Sequence, residues 1–177
     1  MEGILSILRA AGRLKQIQRT GWKTKVHVVD AESVADHSFR VSLASMLLSD
    51  LIGLDTLKVV RMALIHDLAE SIIGDLTPEQ ANKEGKEALE DAVALKLLSG
   101  LPEKIKQLYI NSWREWTQGG SREANLVREV DALEMALQAE EYAQSGYDQN
   151  ALLEFKRYAS TRIKSKDVMN LLKMVVK

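Results

Sequence analysis

The sequence predicts an all-α fold of about seven to eight helices. Leu, Ala, Glu and Lys are abundant, only two prolines occur, and aromatic residues make up 5% of the chain, a balance that favours helices. Apolar residues recur at helical spacing, and glycines and helix-capping residues interrupt that spacing at short intervals. Because 177 residues suffice for one hydrophobic core, we expect residues 1–177 to form a single domain.

The amino-terminal segment begins with an amphipathic helix. Apolar residues recur at three- to four-residue spacing over residues 3–19 and define one stripe, which predicts the first helix. Gly21 then breaks the pattern. Residues 22–32, with the sequence WKTKVHVVDAE, alternate and are rich in β-branched side chains, so we predict an extended connection there.

Two helices follow, and each is opened by a capping residue. Ser33 and Asp36 have the spacing of a capping box and predict a helix over residues 33–52. Asp55 can cap the next helix, which is predicted over residues 56–73. A glycine follows each of these helices directly, as is common where a chain leaves a helix.

The rest of the chain continues in the same rhythm. Thr77 is predicted as an N-cap, with Pro78 at the first helical position. Further capping residues and glycines divide the following residues into five helices, predicted near 84–99, 102–117, 121–145, 148–159 and 167–177. No internal repeat, low-complexity tract or long linker separates these elements.

Composition and charge exclude several function classes. The net charge is −1 and no run of Lys or Arg occurs, so neither nucleic acid nor a membrane surface is the expected partner. The absence of cysteine excludes disulfides and thiolate zinc sites, and any metal must be held by His, Asp and Glu. The amino terminus lacks a signal-peptide pattern and no stretch is apolar enough for a membrane span, which predicts a cytoplasmic protein.

Titratable side chains within apolar stretches point to a metal site. His37 lies in VADHS and His66 in ALIHDLAESI, where Asp67 and Glu70 follow it within about one helical turn. Asp131 lies at the edge of the apolar stripe of the longest predicted helix. Because unpaired buried charge is costly, one divalent cation held by imidazoles and carboxylates would compensate these groups together. On spacing alone, a hydrogen-bonded core cluster without metal is an equally good explanation.

The ordered motifs of the chain resemble those of the HD-domain phosphohydrolases. The stretches VADHS, ALIHDLAESIIGDLTP and EVDALEMALQAEEY carry the resemblance. The stretches LKQIQRTGW and WREW are similar to the 5′-deoxynucleotidase branch, which includes the HD-domain-containing protein 2 group. The resemblance spans residues 3–145 and implies one HD-domain helical bundle. Its motif core covers residues 33–135, and the helices within 148–177 are expected to pack on that core.

The resemblance implies a role for each motif residue. The metal ligands of the family fall on His37, His66, Asp67 and Asp131. The acidic catalytic position of the family falls on Glu70, one helical turn after His66.

Three further residues are implied to face the substrate. Asp75, the aspartate of the GD motif, is expected to take part in catalysis, to contact the substrate or, with Glu70, to bind a possible second ion. Arg19 is the expected phosphate clamp, and Trp22 is expected to pack on the sugar or base. A Thr-Gly pair separates Arg19 from Trp22 here, whereas bacterial members tend to show Arg directly followed by Trp.

Neighbouring residues outside the motifs have simpler expected roles. Glu134 lies about one turn from Asp131 and is expected either beside the metal ligands or on a solvated face. Trp113 and Trp116 are expected to pack helices together. His27 belongs to no cluster and is interpreted as a structural or surface residue.

The implied activity is that of a metal-dependent phosphomonoesterase. It would hydrolyse (deoxy)ribonucleoside 5′-monophosphates to nucleoside and phosphate through a metal-activated water. The ligand set suits Mn, Co, Fe, Ni or Zn and, less comfortably, Mg. Two alternatives stay open: an HD phosphohydrolase of another nucleotide, such as a cyclic nucleotide or nucleoside polyphosphate, and a non-catalytic nucleotide-binding module. The family also implies a homodimer.

Overall fold

The computed structural model describes residues 1–77 and 83–176, and their side chains except at positions 83 and 84. Within these ranges it contains no β-strand, which confirms the all-α fold. A π-helical turn spans Trp22–Val26. The nine α-helices of the described residues are α1 Glu2–Leu14, α2 Val34–Ile52, α3 Thr56–Ile65, α4 Glu70–Ile73, α5 Lys83–Ser99, α6 Glu103–Gln118, α7 Arg122–Gln144, α8 Gln149–Arg162 and α9 Lys166–Val175.

Most helices begin where the capping residues predict. The Ser33 hydroxyl accepts a hydrogen bond from the backbone N–H of Asp36, and the Asp36 carboxylate accepts one from the backbone N–H of Ser33. Asp55, Ser121 and Asp148 each accept a hydrogen bond from a backbone N–H in the first turn of the helix that follows. Local sequence therefore determines the start of four helices that surround the site described below.

The first helix is shorter than predicted. It ends at Leu14, because the next residues leave the helix to pair with the segment before α2. Gln18 and Ser33 form an isolated antiparallel bridge, and the backbone N–H of Arg19 donates to the carbonyl of Glu32 at 2.9 Å. This pairing holds Arg19 beside the start of α2.

The predicted extended connection after Gly21 is wrong at its beginning. Trp22–Val26 wind into the π-helical turn, which ends at His27 in the left-handed region, with φ of +59°. Trp22 and Val26, four residues apart, are both buried in one apolar cluster with Tyr142. Burial of both side chains on one side of a helical turn outweighs the strand preference of the β-branched residues.

The third predicted helix is interrupted in its middle. α3 ends at Ile65 and α4 begins at Glu70. Between them the backbone N–H of Leu68 donates to the carbonyl of Ile65, and that of Glu70 to the carbonyl of Asp67. These three-residue steps wind more tightly than an α-helix. As a result, His66 and Asp67 lie in a turn between two helices rather than inside one, and the described residues form nine α-helices instead of the expected seven to eight.

α7 lies at the centre of the largest apolar cluster. It packs against α2, α3, α8 and α9, and its buried residues are distributed around the whole helix. A helix that is covered by neighbouring helices on most of its sides lies in the core. This position brings the middle of α7, including Asp131, against α2 and the end of α3.

Two remaining features concern the ends of the described ranges. Thr77 is described, but Pro78 lies outside the described residues, so its predicted helical position is untested. α9 begins at Lys166 with Ser165 before it, and Glu129 of α7 accepts from the backbone N–H groups of Lys164 and Ser165 at 3.0 Å.

Within the described part of the chain, no helix has the length and apolar character needed to cross a bilayer.

Candidate metal centre and substrate cavity

His37 and His66 turn the same ring atom towards a common point. His37 Nδ1 donates to Oε2 of Glu134 at 2.5 Å, and His66 Nδ1 lies 2.7 Å from the carbonyl oxygen of Ala63. Because a carbonyl can only accept, the His66 proton lies on Nδ1. Nε2 is then the ring atom left for a cation in both histidines, and an outer hydrogen bond of this kind is usual for metal-binding histidines.

Two carboxylates lie beside these nitrogens. Oδ2 of Asp67 lies 3.1 Å from His66 Nε2 and 3.6 Å from His37 Nε2. Oδ1 of Asp131 lies 3.2 Å from His37 Nε2. The structure therefore brings together all four side chains that the sequence predicts as metal ligands.

The donor atoms suit a divalent cation. Nε2 of both histidines and Oδ2 of Asp67 are buried, and none makes a hydrogen bond of normal geometry to the described residues. Ligand atoms of His37, His66 and Asp67 lie within 4.8 Å of one another. Buried polar atoms without partners are costly, and one cation among them would remove that cost. This favours the metal site over a hydrogen-bonded core cluster.

The electrostatic balance at the site favours positive charge. Burial disfavours a charged His37, but Asp131 and Glu134 raise its pKa to about 10. Burial also opposes ionisation of Asp67, yet His66 and His37 hold the pKa of this carboxyl below its usual range. The raised pKa of His37 and the lowered pKa of Asp67 have one cause: carboxylates and imidazoles lie close together in a buried region. Such a group of side chains attracts a proton or a metal ion.

Glu70 lies beside the cluster with one free carboxylate oxygen. Its side chain is buried and lines a cavity. Oε2 has no hydrogen-bond partner among the described residues, and Oε1 lies 4.0 Å from Nζ of Lys86. Burial, followed by the charges of Asp67 and Asp75, raises the pKa of Glu70 well above its usual range. A carboxyl group in this environment holds a proton more readily than an exposed glutamate does.

Thr20 ties Asp75 to the amino-terminal segment. Its backbone N–H donates to Oδ2 of Asp75 at 2.5 Å, and its hydroxyl donates to the Asp75 carbonyl at 2.6 Å. Arg19 precedes it, with Nη1 3.6 Å from Oδ2 of Asp67. Thr20, the residue directly after Arg19, therefore positions Asp75. Arg19 and Asp75, both predicted to face the substrate, line the cavity.

Trp22 is mostly covered by protein. Its side chain is 1% exposed, and Nε1 donates to Oε1 of Glu32 at 2.8 Å. Its ring packs on Phe155 with centroids 4.2 Å apart and meets Tyr142 edge-on at 5.3 Å. Trp22 thus lies in the cavity wall with little free surface.

The cavity has a volume of about 380 Å³ and a polar and an apolar end. Its size is that of a small-molecule site. The polar end is lined by Arg19, His66, Asp67, Glu70, Asp75, Lys86 and Asp131. The more apolar end is lined by Gly21, Trp22, Met135, Phe155 and Tyr158, with the ion pair of Lys25 and Glu154, 3.3 Å apart, beside them.

Sequence reasoning missed one charged residue of the site, Lys86, and left two roles open for another, Glu134. Glu134 is 1% exposed and binds His37, so the solvated-face interpretation of Glu134 is wrong; its apolar neighbours in ALEMAL are the signal that could have found it. Lys86 donates to the carbonyl of Leu76 at 2.7 Å and lies 3.4 Å from Glu90. Lys86 lies in a polar stretch of the sequence, without the apolar neighbours that would mark it as part of a buried site.

The two tryptophans of WREW have different surroundings. Trp113 is buried and packs helices together, as predicted, and its Nε1 donates to Asp91 at 2.8 Å. Trp116 packs as well, but it also lines the cavity and meets the ring of His66 edge-on at 5.5 Å. It therefore shields one side of the metal-site histidine.

Comparison with known proteins finds matches over most of the chain. Residues 11–172 match the HD domain family. The chain is 33% identical to a Danio rerio protein named 5′-deoxynucleotidase HDDC2, over 98% of this chain and 86% of that protein. It is 36% identical to the Homo sapiens protein of the same name, over 89% and 76% of the two chains. The crystal structure of the PH0347 protein from Pyrococcus horikoshii OT3 superposes with a TM-score of 0.79 at 30% identity, over 97% of both chains. The chain therefore belongs to the HD-domain family.

Proposed function

We propose that the protein is a metal-dependent phosphomonoesterase that hydrolyses (deoxy)ribonucleoside 5′-monophosphates to nucleoside and phosphate. One observation carries this proposal: two imidazole nitrogens and two carboxylates converge at the polar end of a cavity that Arg19 also lines. The relatives named 5′-deoxynucleotidase support the substrate class.

Four side chains would hold a divalent ion: His37, His66, Asp67 and Asp131. An ion bound by them would lower the pKa of a water molecule and polarise a phosphoryl oxygen. Imidazole and carboxylate ligands suit Mn, Co, Fe, Ni or Zn, and Mg less well. We include all six in the tests below.

Arg19 is the proposed phosphate ligand of the protein. Its guanidinium lies 3.6 Å from the Asp67 carboxylate, and it lines the cavity beside the metal ligands. A planar guanidinium can donate two parallel hydrogen bonds to phosphate oxygens. Arg19 would therefore fix the phosphoryl group against the metal end of the cavity.

Glu70 is the proposed proton carrier. As the oxygen of water bonds to phosphorus and the P–O5′ bond breaks, water loses a proton and the 5′ oxygen gains one. Oε2 of Glu70 has no other partner among the described residues, so it can orient the water and take its proton. Because burial, Asp67 and Asp75 raise the pKa of Glu70, it can hold that proton and return it to the leaving oxygen.

Asp75 is proposed to act beside Glu70. Its Oδ2 already accepts from the backbone of Thr20, which leaves Oδ1 for a sugar hydroxyl, the water or, together with Glu70, a second ion. In this arrangement Thr20 orients Asp75 and does not itself contact the reacting atoms.

The direct test is phosphate release after removal of metal. The protein is treated with chelator and assayed on deoxy- and ribonucleoside 5′-monophosphates, cyclic nucleotides and nucleoside triphosphates, with each of the six metals added back. We expect release from the 5′-monophosphates only, and only with added metal. Metal binding without release from any monophosphate would contradict the proposal.

A homodimer is proposed from an exposed apolar stripe on α2. Phe39, Leu43, Leu47 and Leu51 recur every four residues and are 42 to 75% exposed. Side chains at this spacing lie on one face of a helix, and a two-fold axis can place that face against itself in a second copy. Sedimentation should show a dimer for the native chain and a monomer for Leu47→Glu. A native monomer at micromolar concentration would contradict this.

A further inference from the structure

The end of the cavity away from the metal ligands is lined by side chains that the proposed chemistry does not use. Met135 follows Asp131 on α7 by one helical turn, about 6 Å along the axis. Phe155 and Tyr158 lie three residues apart on one face of α8 and line the same cavity. Since α8 packs along α7, these side chains extend the cavity beyond the metal cluster.

At this end of the cavity, Phe155 and Tyr158, rather than Trp22, provide the accessible aromatic surface. Trp22 is 1% exposed because Phe155 covers its face and Tyr142 its edge. Phe155 is partly exposed, and Tyr158 is 50% exposed. Trp22 therefore supports the wall, and the rings of α8 form its surface.

Gly21 leaves space beside Phe155. Its backbone has φ of −57° and ψ of −41°, ordinary helical values that any residue can adopt. A Cβ atom at this position would lie 3.4 Å from the Phe155 ring. The backbone does not require glycine here, so the effect of the missing side chain is on the cavity, which Gly21 lines.

We propose that Phe155 and Tyr158, with Met135 and the space left by Gly21, bind the nucleobase of the substrate. The inference rests on the proposed function, because the phosphate at the metal end determines which part of a nucleotide reaches α8. A 5′-monophosphate carries its base one sugar away from the phosphorus atom, and the cavity runs from the metal cluster to α8. Aromatic and apolar side chains bind bases through stacking on their flat faces.

The test compares a substrate that has a base with one that lacks it. Deoxyadenosine 5′-monophosphate and deoxyribose 5-phosphate are assayed with the metal-loaded native protein, Tyr158→Ala and Phe155→Leu. For the nucleotide we expect kcat/KM to fall about tenfold in each variant, mainly through KM, because one stacking contact contributes about that much affinity. For the sugar phosphate kcat/KM should not change.

Leu153→Ala is the matched control, since Leu153 lies on the same helix, is 38% exposed and does not line this cavity. It should leave both substrates unaffected. Thermal melting checks that the variants are folded. Equal losses on both substrates, or no loss on either, would overturn the base-binding surface.

Failure of the proposed function has a separate signature. If no metal restores hydrolysis of either compound, calorimetric titration with deoxyadenosine 5′-monophosphate and with inorganic phosphate decides the inference. A nucleotide affinity about tenfold weaker in Tyr158→Ala, at unchanged phosphate affinity, supports base binding on α8. Equal nucleotide affinities, or no nucleotide binding by the native protein, overturn it.

A third variant, at Gly21, tests whether the base occupies the space beside Phe155. Gly21→Val adds a side chain where the backbone tolerates one, so we expect weaker use of the nucleotide and unchanged use of the sugar phosphate. Unchanged use of both would show that the base does not occupy this space.

Discussion

The two ends of the cavity are built in different ways. At the metal end, hydrogen bonds orient the side chains, as when Glu134 holds the ring of His37. At the α8 end, packing shapes the surface, as when Phe155 rests on Trp22 while Tyr158 stands half exposed. Hydrogen bonds have strict geometry, whereas apolar contacts tolerate small shifts. We therefore expect substitutions at the metal end to cause large losses of activity. Substitutions at the α8 end should reduce activity by smaller, variable amounts.

Removal of a metal ligand should have the largest effect. Asp67→Asn takes away a charged oxygen that lies close to both histidine Nε2 atoms. We expect the affinity of the chelator-treated protein for Mn²⁺ to fall more than about 100-fold, because a buried charged partner is lost, and hydrolysis to disappear. Calorimetric titration measures the affinity. Asp30→Asn, at an exposed position, is the control, and native affinity in Asp67→Asn would remove Asp67 from the site.

Loss of the proton carrier should separate turnover from metal binding. Glu70→Gln keeps the shape of a side chain whose Oε2 has no other partner among the described residues. We expect turnover to fall about 10²- to 10⁴-fold, the usual contribution of general acid–base catalysis, while the Mn²⁺ affinity stays near native. Steady-state assays and calorimetry on the same preparation check both. Native turnover in this variant would exclude Glu70 from proton transfer.

The residue behind the metal ligand should have an intermediate effect. Glu134→Gln replaces the carboxylate that accepts from His37 Nδ1 with a neutral amide. We expect Mn²⁺ affinity to fall about 10- to 100-fold, as found for outer partners of metal-binding histidines. Glu140→Gln on the same helix is the control, because Glu140 contacts Lys156 and Gln144 instead. Equal affinities in the two variants would show that Glu134 only fills space.

The smallest change in metal affinity is expected when a hydrogen bond near the α8 end of the cavity is removed. Trp22→Phe keeps the packing on Phe155 but removes the donor to Glu32. We expect the free energy of unfolding to fall by about 2 kcal/mol, because a buried carboxylate loses its partner, and Mn²⁺ affinity to stay near native. Urea unfolding and calorimetry measure the two quantities. A loss of metal affinity as large as that of Glu134→Gln would show that the two ends are not independent.

Local sequence signals explain most helix starts, and distant contacts explain the exceptions. Ser33 and Asp36 cap α2 as predicted because both partners lie within one turn. The π-helical turn was not predictable in this way, since Trp22 is buried against Tyr142 of α7. The interruption after Ile65 also lacks a local signal, because no glycine or proline occurs at positions 66–69.

The same distinction holds within the cavity. His66 and Asp67 attract notice in sequence because charged side chains rarely stand in apolar stretches without a function. Glu134 lies 97 residues from its partner His37, and only its apolar neighbours in ALEMAL distinguish it from the surface glutamates of α7. Phe155 gives no signal, because an aromatic residue in a helix is normally part of the core. Only the packing of α8 on α7 places it in the cavity.

The central helix of the core also carries Asp131, the last of the four proposed metal ligands along the chain, and this has a consequence for the chain during synthesis. Residues up to Asp67 leave the ribosome well before Asp131, and domains fold as synthesis proceeds. A nascent chain therefore offers an ion two imidazoles and one aspartate, without α7 to enclose them. If these four side chains hold the ion, complete coordination would coincide with closure of the core, and metal uptake would accompany the end of folding. Metal starvation of a cell should consequently deplete freshly made protein before it inactivates mature molecules.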